Sequence, residues 1–371
     1  MRKWALAQRS RSAALQAGGR RFESARLHWK ILGRWRTQRL DLAKRSDPVS
    51  KSPDAAFESV ARQALDAYDL NVESLDLVAD DWNCTFEVRT RDEHRYALRV
   101  YLPHRRSDDE VIAELAWLDA LTDVPGIRVP RPLRSRDGSP FVSVGVPELA
   151  ERRRVALFTW IAGDPLGDDP EPPSVDAFGE AAARLHDHGA NFSDTKGLRT
   201  WDVLFPYGGG TSIASRANSD VVSPVARETF ERARNATSDL IRALQATGES
   251  PRIVHGDLHQ DNVFVGAHGV SFLDFDDCAL AWPVQDLGVT MWEIGEDQAM
   301  WPYRDMFRDG YERAAPWPER WSGEISVSAA HRGLLKVDDR LREGGDDRDV
   351  LRESVELHSE AISWFLDQAG V

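Results

Sequence analysis

Cysteine is nearly absent from these 371 residues: only Cys84 and Cys278 occur. That is too few for a disulfide framework, and Cys278 reads as a small packing residue. No stretch of about twenty apolar residues is present, so no membrane-spanning helix is expected. Lysine is scarce, the basic residues being overwhelmingly arginine, and glycine is missing from residues 79 to 85. These absences exclude a secreted disulfide scaffold and an integral helical membrane protein, and they imply a cytoplasmic chain.

The net charge of −14 hides an asymmetry. Residues 1–50 carry 13 Lys and Arg against 3 acids, which leaves 34 basic and 58 acidic residues in the remainder, a balance of −24. An acidic body argues against general nucleic-acid binding and suits a carboxylate-rich, soluble surface. The Arg- and Ser-rich start has several readings: a disordered extension, a start site assigned too far upstream, a transit peptide, or a basic arm for nucleic acid or an anionic membrane. The globular pattern begins beyond Pro53, and its length suits two lobes with a cleft between them.

What is present is most telling at His255-Gly-Asp-Leu-His-Gln-Asp-Asn262, followed by Val-Phe-Val and Ser-Phe-Leu-Asp274. Asp257, an amide five positions later and a second acid ending the next hydrophobic run are what phosphoryl transfer from ATP requires. One carboxylate accepts the proton of the acceptor hydroxyl, and oxygen ligands hold the metal ions that neutralise the polyphosphate. The spacing makes Asp257 the base, and Asn262 and Asp274 the ligands of Mg²⁺. A zinc site through His255, His259 and Cys278 is the competing reading; Gly256 breaks the helix that a His-x3-His pair would need.

The order resembles the protein-kinase catalytic loop, with Gly256 where that loop has Arg. In that form it is similar to the aminoglycoside phosphotransferase and choline kinase group, with some similarity to bacterial stress-response kinases. The resemblance covers roughly residues 75 to 310. It implies a bilobal, protein-kinase-like α/β (α+β) fold, with a small antiparallel N-lobe over residues 51–155, a hinge at 156–163 and a mainly helical C-lobe over 164–371. The implied activity is transfer of the γ-phosphoryl of ATP to a hydroxyl of a small molecule. Two alternatives stand beside it: a protein Ser/Thr kinase of the stress-response type and a catalytically silent nucleotide-binding regulator. A nucleic-acid or membrane adaptor using the basic arm is a third.

Around the motif, strands are expected within Val78–Val88 and over Arg95–Tyr101, joined by a turn at Arg91–His94. The resemblance puts the first turn over the nucleotide phosphates, where backbone amides near Asn83 would replace a glycine-rich cradle. Arg99 stands where protein kinases have their phosphate-binding Lys, and alternation aims it away from Leu98 and Val100. Ser107-Asp-Asp-Glu110 is a capping box, and the helix it opens carries Glu114 on the edge of its buried stripe. An Arg99–Glu114 ion pair is therefore expected, against a solvated Glu114. The hinge would bind adenine through the backbone at Thr159, Trp160 and Ile161, with Leu98 or Val78 against the ring.

Helices are expected from Ser174 to His186 and from Pro224 to Ala246, with an irregular loop through Gly208–Gly210 between them. Asp286 is expected to hold the catalytic loop through backbone hydrogen bonds. The aromatic stretch Trp282, Trp292, Trp301, Tyr303 and Trp317, with Glu293, Glu296 and Asp297, is the place to seek an acceptor pocket, although such aromatics more often form core.

Overall fold

The computed structural model describes residues 53–79, 83–103, 106–167, 170–204, 220–266, 268–295, 301–343 and 347–371. The basic segment 1–50, part of the glycine-free loop, Gly208–Gly210, Glu296, Asp297 and the Trp301 side chain lie outside what is described. The chain divides into two units, Met1–Phe57 and Glu58–Val371, and the second carries the motif.

In chain order the helices are α1 (Pro53–Leu65), α2 (Asp108–Leu121), α3 (Pro172–Asn191), α4 (Pro224–Ala246), α5 (Pro283–Gly295), α6 (Trp301–Ala314), α7 (Glu324–Glu343) and α8 (Arg348–Ala369). The strands are β1 (Val72–Ala79), β2 (Cys84–Thr90), β3 (Arg95–Val100), β4 (Ile127–Arg128), β5 (Pro132–Leu133), β6 (Val142–Val144) and β7 (Arg153–Thr159). They continue as β8 (Asp164–Pro165), β9 (Arg199–Thr200), β10 (Arg252–Val254), β11 (Val263–Gly266), β12 (Gly269–Phe272) and β13 (Ala279–Ala281).

The small lobe is an antiparallel sheet in the order β1-β2-β3-β7-β5, with β6 added to β7. Alternation explains its two faces. Phe86 pairs with Leu98, and Leu98 with Leu157, so three apolar residues line up on one face. Arg99 lies between Thr85 and Ala156 on the other. The first strand starts at Val72, six residues before the expected Val78. Its early half escapes notice because only Leu75 is buried and Glu73 and Asp76 face water.

The capping box forms as expected: the Ser107 hydroxyl receives the Glu110 N–H, and the Glu110 carboxylate receives the Ser107 N–H. It starts α2 and so fixes where Glu114 falls. At the far side of the helix, Trp117 packs edge-on to Phe275 at 5.3 Å and donates through Nε1 to His188 at 3.1 Å.

The second lobe is mainly helical, as expected. α7 packs against α5, α8 and α4, and α3 packs against α6. Phe178, Phe272 and Phe307 meet in one part of this core, and Trp292, His358 and Phe365 in another. Two small sheets complete it, β10-β13-β9 and β4-β12-β11-β8, and they carry the loops of the motif.

Candidate active site

The motif runs from the end of β10 to the start of β11. Gly256 takes a positive φ of 85°, which lets the chain turn sharply after His255. Asp286, at the start of α5, then receives the backbone N–H of His255 at 3.0 Å and of Gly256 at 2.9 Å. Its carboxylate also meets His186 Nε2 at 3.0 Å, and His186 Nδ1 meets the Tyr311 hydroxyl at 3.1 Å. His186 of α3 thus braces the acid that braces the loop. Thr290 adds a bond from its hydroxyl to the Leu258 carbonyl at 2.6 Å.

Two further bonds tie this loop to the one after β12. The Leu273 N–H donates to the Asn262 carbonyl at 2.9 Å, and His255 Nε2 donates to the Leu273 carbonyl at 2.8 Å. His255 is buried, which pushes its pKa down and keeps the imidazole neutral. It is a structural link between the two loops. Asp274 follows in the left-handed conformation at φ 59°, a conformation Asp tolerates better than most residues.

Asp257 and Asn262 are therefore bonded to each other within one loop, and the residue before Asp274 is tied to Asn262 through the backbone. Asn262 Nδ2 donates to the Asp257 carbonyl at 3.0 Å and approaches its Oδ2 at 3.3 Å. His259 Nδ1 receives the Asp261 N–H, which leaves Nε2 to donate to Asp257 Oδ2 at 3.2 Å. Arg332 of α7 places Nη2 2.5 Å from Asp257 Oδ1. Burial alone would raise the Asp257 pKa, but Arg332 and His259 bring it well below the usual carboxylate range.

Arg99 joins the two lobes of the site. One Nη donates to Glu114 at 3.2 Å and the other to Asp274 at 3.0 Å. The expected strand-to-helix ion pair is present, and the alternative of a solvated Glu114 is not: this carboxylate is fully buried. Burial pushes its pKa up in spite of Arg106, 2.9 Å away, and Arg99. Arg106 has no counterpart in the sequence reading, since nothing in Arg105-Arg106 before a capping box marks one of the two as buried.

The third acid is crowded. Partial burial and then Asp276 push the Asp274 pKa up to about 8, with Arg99 opposing. Asp277 is raised as well, by burial, Asp276 and Asp257. So many carboxylates near one point suit a bound divalent cation. Among the described residues, no three His, Cys, Asp or Glu side chains form a closed cage for one. A single carboxylate, an amide oxygen and substrate phosphates are the donor set that Mg²⁺ commonly takes, so the residues fit that ion. They do not fit zinc: Cys278 is buried beside Arg106, and His259 turns toward Asp257.

Asn83 reaches across to Asp276, its Nδ2 donating at 2.8 Å, and its Oδ1 receives the Leu102 N–H at 3.4 Å. At the end of β7 the Thr159 N–H donates to the Arg131 carbonyl, and the Trp160 N–H to the Arg95 carbonyl. Ile161 is buried. Most of the described aromatic stretch is core: Trp282 and Trp292 are buried, and Tyr303 and Trp317 are half-buried against the same cluster, Trp317 also lining a surface cleft with Arg308 and Arg320.

In their place, α7 brings residues that the sequence did not single out. Arg332 and Lys336 are one turn apart, and Lys336 Nζ lies 2.9 Å from Glu293. Lys336, His259 and Arg332 outweigh burial and draw Glu293 down to about 2. Only the i, i+4 spacing of two cations on α7 hinted at this, and that pattern is common on solvated faces.

With this geometry established, likeness to known proteins is decisive. The model of the phosphotransferase enzyme family matches residues 75–322. The chain belongs to this family. It is 29% identical over 301 residues to a homoserine kinase of Methylobacillus flagellatus, covering 76% of this chain and 85% of the relative. Among solved structures, a microcompartment-associated aminopropanol kinase aligns with a TM-score of 0.69 at 24% identity, over 84% of this chain and 98% of the other. An amicoumacin kinase bound to AMP-PNP and Ca²⁺ aligns with a TM-score of 0.67 at 16% identity, over 83% and 93%. The protein is thus a phosphotransferase enzyme with the two-lobed kinase-like fold. No helix among the described residues is long and apolar enough to cross a membrane.

Proposed function

We propose that this phosphotransferase moves the γ-phosphoryl of ATP to a hydroxyl of a small molecule, with Asp257 as the base. The observation that carries the reading is the double tie between the two loops, Leu273 to Asn262 and His255 to Leu273, which holds Asp257, Asn262 and Asp274 as one constellation. Asn262 and Asp274 would hold Mg²⁺, which when bound neutralises the polyphosphate. Arg99 serves the phosphates while remaining anchored to Glu114. The crossing between lobes at residues 156–163 receives adenine. The Thr159 and Trp160 N–H groups already have partners, so the donor to the ring is assigned to Ile161.

In the step itself the acceptor oxygen attacks the γ-phosphorus and its proton passes to Asp257. The bond from that phosphorus to the bridging oxygen of ADP breaks. Asp257, not His259, is the base, because His259 Nδ1 already accepts from Asp261 and its Nε2 carries the proton shared with Asp257.

The test is transfer from γ-labelled ATP with Mg²⁺ to a panel of hydroxyl compounds and a generic protein substrate. Asp257→Asn should lose about 10²- to 10⁴-fold in turnover while still binding nucleotide. Turnover at the unaltered rate in that variant would remove Asp257 from the role, and binding without transfer by the unaltered protein would point to a silent regulator.

A further inference from the structure

We propose that the acceptor carries a carboxylate beside its hydroxyl, and that Arg332 is the group that receives it. The proposal rests on the reading of Asp257 as the base.

Both oxygens of Asp257 are engaged in this structure. Oδ1 holds Arg332 at 2.5 Å; Oδ2 holds His259 at 3.2 Å and Asn262 at 3.3 Å. Of the roughly four lone pairs of that carboxylate three are taken, and the one left lies on Oδ1 beside Arg332. Arg332 therefore stands next to the place where an incoming hydroxyl would meet the base. His259 and Asn262 belong to the same tight loop as Asp257, whereas Arg332 reaches in from α7.

Arg332 is also incompletely satisfied. Its Nη2 meets Asp257 and approaches Glu293 at 3.8 Å, while its Nε is buried with no hydrogen-bond partner. A buried, unmatched N–H beside a half-used fork is unfavourable, and a planar anion binding two parallel N–H groups would relieve it. Lys336 adds a second positive charge one turn on. Facing these cations are Asp257, Glu293 and, farther off, Asp277, with His259 on the catalytic loop. Two cations thus offset most of the charge of these three acids, although the body around them is strongly acidic.

A carboxylate on the acceptor would bind the unmatched side of the Arg332 fork and so bring its neighbouring hydroxyl to Asp257 Oδ1. A purely cationic acceptor would meet Arg332 and Lys336 with like charge. Arg332 is a positioning and specificity residue in this scheme.

The experiment uses the full chain with ATP and Mg²⁺ and acceptors in matched pairs: homoserine with propanolamine, serine with ethanolamine, and glycerate with glycerol, plus glycerol phosphate. The best acceptor should be a carboxylate-bearing member, favoured over its partner about ten- to a hundredfold in kcat/KM. Arg332→Gln should collapse that ratio, chiefly through KM, and Arg332→Lys should keep part of it. A best acceptor without an anion would overturn the proposal while leaving the kinase reading intact, and a best acceptor bearing phosphate would overturn the choice of carboxylate. Equal losses on both members of a pair in Arg332→Gln would reduce the residue to a structural role. Transfer to none of them, with ATP consumption unchanged in Asp257→Asn, would remove the kinase reading and this inference together.

Discussion

The carboxylate of Asp286 receives the Gly256 N–H at 2.9 Å through one oxygen and the His255 N–H at 3.0 Å through the other. An amide in its place keeps one acceptor and turns two donors toward a neighbour that is itself a donor. Asp286→Asn should therefore destabilise the protein by about 1–3 kcal/mol and slow turnover more than it weakens nucleotide binding. Denaturant unfolding and initial rates on one preparation check both parts.

Glu114 is the hub of the small lobe, receiving Arg99, Arg106 and the Tyr101 hydroxyl. Removing it leaves two buried guanidinium groups without their shared anion. Glu114→Ala should cost about 3–5 kcal/mol, more than Arg99→Lys, which keeps a charge for one of the two carboxylates that Arg99 bridges. Thermal unfolding of both variants, with and without ATP, tests the order.

His358 is buried against Trp292, and desolvation holds its pKa down at about 4. The unfolded chain takes up this proton near pH 6.5 and the folded protein only near 4, so stability falls as pH drops between those values. The loss from this one group amounts to about 3 kcal/mol once pH is below 4. His358→Phe should flatten the acid limb of a stability-against-pH curve; an unchanged limb would mean that other groups set it.

Gly179 on α3 faces the backbone of α6. An added Cβ would run into the Phe307 carbonyl, and Gly310 meets Asp176 from the other side in the same way. Gly179→Ala should destabilise by at least about 2 kcal/mol through forced separation of the two helices. Calorimetry of the variant measures it.

The central chemistry was legible because it is local. Asp257 and Asn262 are five residues apart in one loop, Ser107 and Glu110 form a box within one turn, and the Arg99 side follows from alternation in a strand whose other face is wholly apolar. Arg332 was not legible, being 75 positions from the acid it pairs with. An arginine on an amphipathic helix reads the same whether it meets water or a carboxylate. The aromatic stretch after Trp282 was ambiguous for a related reason: tryptophans at helical spacing fill a core and line a pocket equally well, and it takes the packing of α7 and α8 against Trp292 to place that residue in the core. Strands of two residues, such as β8 and β9, carry no periodicity to detect.

The hairpin of β11 and β12 lies between Asn262 and Asp274, yet the pair is clamped at the hairpin's base by Leu273 and His255. At the other end, Gly266 pairs with Gly269; a side chain added at Gly266 would meet open space, whereas Gly269 holds a positive φ of 94°. The distance along the chain between these two residues is thereby uncoupled from their distance in space. Residues inserted at the hairpin tip should leave the constellation in register, which makes that tip a site where a fluorescent label or a short tag can report on the enzyme without disturbing it.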